Sequence, residues 1–293
     1  MKAQAPPPLF CSAYTVAGAP PGAAPRFDFA ARVAAVADAG MNGLTVHDAD
    51  PALAPARVGA AREALASSGL VVPAVDFVSD WHLAGRDTMA EALRVAEAMD
   101  APLIHMGADL AADMPPLSDL IGPFRSVCCR AADAGRRVAL EPLAWGRVCS
   151  VEVACELIDR AGPGCAGLVL DLWHLCINGT PARKSLGSLD LSLVSTVQIS
   201  DAAVMTNPSP DALKEATRER AFPGDGTLDC AGFLAALWPA LDRSGVTVEV
   251  LSPAAQRHPI DQTAERAATS ARQVIATAAK LRAQDRSGDR NHG

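Results

Sequence analysis

Several common class signatures are missing from this sequence. No stretch reaches the roughly 18 consecutive apolar residues of a membrane span, and the opening MKAQAPPPLFCSAYTV has no sustained apolar segment of the kind a secretory leader carries. No membrane association is expected. No Lys/Arg-rich block interrupts the chain, and its formal net charge is −7. A phosphate backbone is therefore offered no concentrated positive surface, and no nucleic-acid partner is expected. The eight cysteines, Cys11, Cys128, Cys129, Cys149, Cys155, Cys165, Cys176 and Cys230, include no C-x-x-C pair. Their spacing fits neither a zinc knuckle nor a disulfide framework, so a reducing compartment, the cytoplasm, is expected.

Nucleotide-binding signatures are missing too. A dinucleotide fold should show G-x-G-x-x-G after its first strand. The segment there, TVAGAPPGAAP, places prolines where a phosphate-cradling helix would begin. PGDG at 223–226 is not followed by the Lys-Ser/Thr of a P-loop and reads as a tight turn.

What is present is a repeated grammar. Ala-rich helical stretches end at a glycine, and a Val/Leu/Ile-rich run starts within a few residues: VADAGMNGLTV, ASSGLVVPAV, ADAGRRVAL, DRAGPGCAGLVL and DRSGVTVEV. Gly40, Gly69, Gly135, Gly162 and Gly245 stand where a helix ends in a left-handed cap before a strand begins.

The apolar runs predict eight strands: Leu9 to Tyr14, Gly43 to His47, Val71 to Phe77, Pro102 to Met106, Arg137 to Leu140, Gly167 to Leu170, Val194 to Ile199 and Val246 to Val250. They are continuous rather than alternating, as parallel strands covered on both faces should be. Helices are expected at Phe27 to Ala39, Pro55 to Ser67, Thr88 to Met99, Leu117 to Ala134, Val151 to Arg160, Ala231 to Arg243 and Asp261 to Arg282. Eight strand-helix units in 293 residues, 49% of them hydrophobic, predict a single-domain (β/α)8 TIM barrel over residues 1–284. DRSGDRNHG, residues 285–293, reads as a disordered tail.

In a barrel the reactive groups come from the carboxyl ends of the strands. Four successive runs end in oxygen donors: ALEP at Glu141, LVLD at Asp171, TVQISD at Gln198 and Asp201, and TVEV at Glu249. A single acidic strand end is commonly a helix N-cap; four in series are a set. Glu141, Asp171, Gln198 and Glu249 make a hard-oxygen group suited to Mn2+ or Mg2+, with Co2+ tolerated if a histidine joins. Without a cation, converging carboxylates would raise one another's pKa values. His174, three residues past Asp171, is expected in the same cavity. His105 in LIHMG is a candidate substrate contact or a packing residue.

LEPLAW, LVLDLWH, VQISDA, RERAFPGDGTLD and VTVEV together resemble the xylose-isomerase-like barrel superfamily. That group of sugar phosphate isomerases and epimerases also holds hydroxypyruvate isomerases, ketohexose 3-epimerases, inosose dehydratases and 3-dehydroshikimate dehydratases. The resemblance spans about Leu9 to Ser252, with its specific motifs after Leu140. It implies metal ligands at Glu141, Asp171, Gln198 and Glu249, departing from the epimerases by Gln198 in place of histidine, a glutamine that the dehydratases can carry. Where the epimerases place a second Glu to touch the sugar, this chain has Arg147.

The resemblance further implies proton abstraction beside a carbonyl, with Glu141 and Glu249 as acid and base and His174 assisting. Arg220 is the expected anion or hydroxyl clamp, with Arg218 its competitor, and Trp145 and Trp173 are candidate pocket walls. An isomerase or epimerase of a small polyhydroxylated keto compound is the first expectation, a dehydratase or lyase on a cyclic keto-polyol the second. The expected partner is a small-molecule substrate, and relatives imply a homo-oligomer by analogy. An endonuclease-IV-like activity is disfavoured by the few strand-end histidines, and a non-catalytic binding barrel is the remaining alternative.

Overall fold

A computed structural model of the chain describes residues 5–79, 81–83, 87–108, 115–162 and 164–288, the last four of them by backbone alone. Nine strands are present: β1 (Leu9–Cys11), β2 (Gly43–Leu44), β3 (Val46–His47), β4 (Ala74–Val78), β5 (Leu103–Gly107), β6 (Arg137–Glu141), β7 (Ala166–Asp171), β8 (Val194–Ile199) and β9 (Val246–Val248). Their order is β2-β1-β9-β8-β7-β6-β5-β4-β3, with every ladder parallel. β2 and β3 are two halves of one strand separated by Thr45, so the two ends of that order meet and eight strand positions close into the expected barrel.

The continuous apolar runs are explained by burial from both sides. All six residues of β7 and four of the five in β6 are buried, with other strands across the barrel on one face and helices on the other. The helices Phe29–Asp38, Val58–Ser68, Thr88–Ala98, Leu117–Asp133, Val151–Ala161, Cys230–Ser244 and Ile260–Gly288 lie within a few residues of their expected bounds, except that the last runs further. Local chemistry sets their ends. Asp28 accepts the Ala31 N–H at 2.7 Å, and Asp229 accepts that of Gly232 at 2.8 Å. Gly69 ends its helix at φ 73 and ψ 6, returning its N–H to the Leu65 carbonyl. A Cβ there would cost about 1 kcal/mol.

Three local features depart from the expected pattern. β1 stops at Cys11 because the Ser12 hydroxyl accepts the Tyr14 N–H and starts the short helix Ala13–Val16. Between β7 and β8 two five-residue helices, Leu172–Cys176 and Ala182–Leu186, replace one long helix. The C-terminal helix passes Gln284 and continues to Gly288; the remainder of the expected tail, 289–293, lies outside the described residues.

Register then places the strand ends. Asp171 pairs with Gln198, Gln198 with Thr247, and Gly107 with Glu141. Glu249 stands two residues beyond Thr247, which returns its side chain to the same face.

Candidate active site

Glu141 and Asp171 are the last residues of β6 and β7, Gln198 is the penultimate residue of β8, and Glu249 follows the end of β9. All four are buried. Asp171 performs both tasks open to a strand-end aspartate. Its Oδ1 accepts the Trp173 N–H at 2.7 Å and caps the helix Leu172–Cys176, while Oδ2 faces inward.

That inward oxygen meets Arg220, which reaches the floor from the segment after the helix Pro210–Ala216 and is 3% exposed. Arg220 Nη1 donates to Asp171 Oδ2 at 2.6 Å and to Glu249 Oε2 at 3.1 Å, and Nη2 donates to Thr217 Oγ1 at 3.2 Å. The guanidinium lies 5.0 Å from the centre of the Trp173 ring, which holds it by a cation–π contact. Glu249 Oε1 receives Ser12 Oγ at 3.0 Å and Gln198 Nε2 at 3.1 Å.

His174 completes the arc. The Ala144 N–H donates to its Nδ1 at 3.2 Å, so in the neutral ring the proton sits on Nε2. Nε2 lies 3.6 Å from Glu141 Oε1 and 3.2 Å from Arg220 Nη2. With both nitrogens carrying hydrogen, the second contact is a close approach, and Arg220 is held by its carboxylates.

Burial of this much negative charge shifts its titration. Glu141 is pushed well above the usual carboxylate range by burial first, then by the charges of Glu249 and Asp171. Glu249 is pushed up to about 8: burial is the largest cause, Arg220 opposes it without offsetting it, and Asp171 and Asp76 add to the rise. Arg220 is raised despite its burial because Asp171 and Glu249 favour its charged form.

A divalent cation fits these residues. Glu141, Asp171 and Glu249 would carry three negative charges when ionised, and Arg220 returns one. Ligand atoms of Glu141, Asp171 and His174 all lie within 4.8 Å of one another. Gln198 Oε1 is buried without a hydrogen-bond partner, which is costly for an amide oxygen unless something binds it. Which end of that amide carries oxygen is an assignment from the hydrogen-bond network, and either orientation leaves one end of Gln198 for a further contact.

The cavity above this floor has a volume of about 200 Å³. Glu141, His174, Gln198, Arg220 and Glu249 line it, as does half-buried Trp145, whose ring stands 4.8 Å from that of His174. Tyr14, Asp76, Phe77, Lys214 and Arg218 line it as well. Asp76 is a carboxylate in the middle of the run AVDFV, and that interruption of an apolar strand was the signal available in sequence. Tyr14 and Lys214 carry no such signal.

Other expected residues are elsewhere. His105 is fully buried below the floor, with Nδ1 2.7 Å from Asp76 Oδ1 and Nε2 2.9 Å from Thr196 Oγ1. Both ring nitrogens are occupied by the barrel interior, so the substrate-contact reading is corrected to a packing one. Arg147 is exposed and is not among the residues lining the cavity. Asp201 accepts the backbone N–H groups of Ala202, Gly224 and Leu228 at 2.8–2.9 Å. It organises the PGDG turn.

The model of the xylose isomerase-like TIM barrel family matches residues 33–274. The chain is 30% identical over 233 residues to a 3-dehydroshikimate dehydratase of Pseudomonas aeruginosa, an alignment covering 75% of this chain and 36% of that protein. It thus spans about a third of the length of this curated relative. Among solved structures, a xylose isomerase-like TIM barrel/4-hydroxyphenylpyruvate dioxygenase fusion protein superposes with a TM-score of 0.78 at 21% identity, covering 91% of this chain and 42% of that one. The IolI protein, solved with a bound zinc atom, superposes with a TM-score of 0.75 at 16% identity, covering 92% of this chain and 98% of that one.

Proposed function

This chain belongs to the xylose isomerase-like TIM barrel family, and from that premise we propose that it is a divalent-metal-dependent dehydratase acting on a small cyclic keto-polyol of the 3-dehydroshikimate type. The observation that carries the reading is the convergence of buried Glu141, Asp171, His174 and Glu249 around Arg220 at one end of the barrel. The dehydratase reading, second in expectation from sequence, moves ahead of the isomerase on the named relative and on Gln198 standing where the epimerases have histidine.

We place the metal ligands at Glu141, Asp171, Gln198 and Glu249, with Mn2+, Mg2+ or Co2+ as the candidates. A divalent cation, when bound, supplies Lewis-acid polarisation of the carbonyl and of a neighbouring hydroxyl. The chain supplies the rest. Glu141 and Glu249, from opposite ends of the arc, face the cavity, and one of them removes the proton beside the carbonyl. The C–O bond to the β-hydroxyl then breaks, its electron pair leaving with oxygen. The abstracted proton passes to that oxygen and water departs, so atoms and charge balance without a further reactant. His174 Nε2–H donates a hydrogen bond to the departing oxygen, and Trp145 packs against that imidazole and fixes its plane.

The second reading, an isomerase or epimerase, is favoured by the presence of two carboxylates on opposite sides of the cavity. Incubation with Mn2+ and a panel of 3-dehydroshikimate, inososes and ketoses in heavy water separates the two. Loss of water with a new ultraviolet absorbance supports the dehydratase. Solvent deuterium in an otherwise unchanged skeleton supports the isomerase, and no turnover across the panel overturns both.

A further inference from the structure

The charges around the cavity are sorted by depth. Its floor holds Glu141, Glu249 and Asp76, all buried. Its rim holds Lys214 and Arg218, both exposed. Arg220, the clamp expected from sequence, is engaged with carboxylates of the floor itself. Nη1 is occupied by Asp171 and Glu249, Nη2 by Thr217, and Nε is buried without a partner and closed to solvent.

Lys214 and Arg218 form a unit. The helix Pro210–Ala216 continues helically at its end: Thr217 is right-handed at φ −57 and ψ −21, its N–H bonds the Leu213 carbonyl at 3.0 Å, and the Arg218 N–H bonds that of Glu215 at 3.2 Å. Residues four apart on such a segment share a face. Thr217, between them, is tied to the floor by its contact with Arg220. Asp211, Glu215 and Glu219 border a second depression together with the same two cations.

We infer that Lys214 and Arg218 are the substrate-recognising cations of this enzyme, reading a carboxylate on the end of the substrate remote from Glu141, His174 and Glu249. The inference rests on the proposed reaction, whose 3-dehydroshikimate-type substrate is an acid, and adds the residues that read its carboxylate. The physical reason is orientation. The floor carboxylates Glu141, Glu249 and Asp76 oppose a further anionic group, while Lys214 and Arg218 at the rim attract one. A substrate carrying a carboxylate at one end and a carbonyl at the other is then held in one direction only.

The test is equilibrium binding of an inert cyclic polyol acid, shikimate, and of its methyl ester to the Mn2+-loaded chain. It is repeated with Lys214→Gln, Arg218→Gln and the double variant, with Arg147→Gln as the charge control outside the cavity. The expected result is that the acid binds about tenfold tighter than the ester, as loss of a charged hydrogen-bond partner implies. The double variant should bind both alike, with ester affinity unchanged and Arg147→Gln behaving as the parent. Equal binding of acid and ester by the parent, no binding of either, or a preference that survives the double variant overturns the inference. Tighter binding of a hexulose phosphate than of the acid overturns the carboxylate assignment. If the acid preference holds and depends on Lys214 and Arg218 while no panel substrate is dehydrated, the proposed reaction fails and the recognition stands; dehydration without a charge preference gives the reverse.

Discussion

Arg220 Nη1 stands 2.6 Å from Asp171 Oδ2 and 3.1 Å from Glu249 Oε2, so one guanidinium nitrogen joins the ends of two strand positions that are not neighbours in the barrel. Removing one partner of a buried ion pair leaves an uncompensated charge. Arg220→Met is therefore expected to destabilise the metal-free protein by about 3 kcal/mol. Urea unfolding in the presence of chelator measures it, and added Mn2+ should recover part of the loss.

Glu141→Gln and Glu249→Gln keep shape and remove the charge and the basic oxygen. Each is expected to lower turnover by about two to four orders of magnitude, the range for losing a positioned acid or base, and to lower bound metal measured by elemental analysis. Unchanged turnover in either variant would remove that residue from the mechanism.

The strand-end acids were legible because each closes a continuous apolar run, and a charge at such a boundary needs a partner or a function. The barrel was legible for a related reason: caps such as Asp28 and Gly69 and the doubly covered strands are written in local residue types. Arg220 was named from sequence, but its ion pairs with the strand-end carboxylates were not. Its partners Asp171 and Glu249 lie 49 and 29 positions away, and only the closed barrel brings them to one nitrogen. The same applies to Asp76 and His105, each a polar residue inside an apolar strand. Their pairing across β4 and β5 is a tertiary hydrogen bond between residues 29 positions apart. Thr45, at the break of the second strand, likewise has a distant partner, its Oγ1 donating to Asp76 Oδ2 at 2.5 Å.

His105→Leu tests that interior role. It leaves Asp76 and Thr196 each short of a buried partner, so stability should fall by about 2 kcal/mol or more. KM should remain unchanged in the folded fraction. A rise in KM at full stability would restore His105 as a substrate contact.

The metal-free protein should lose stability as pH rises. Glu249 has an ordinary value of 4.5 and a folded value of about 8, so between those limits the folded state holds more protons than the unfolded one. Its stabilising contribution is present below the unfolded pKa and is lost as pH rises through the folded one. Glu141, shifted in the same direction, adds to the loss. Denaturation midpoints of chelator-treated protein measured from about pH 5 to pH 8 should fall monotonically. Saturating Mn2+ should flatten or reverse the trend, because cation binding displaces the same protons.

The most direct test is anomalous diffraction from crystals loaded with Mn2+. A single strong peak is expected about 2.0–2.4 Å from oxygens of Glu141, Asp171, Gln198 and Glu249. A peak elsewhere, or none at saturating Mn2+, would contradict a shared cation at the ends of β6 to β9.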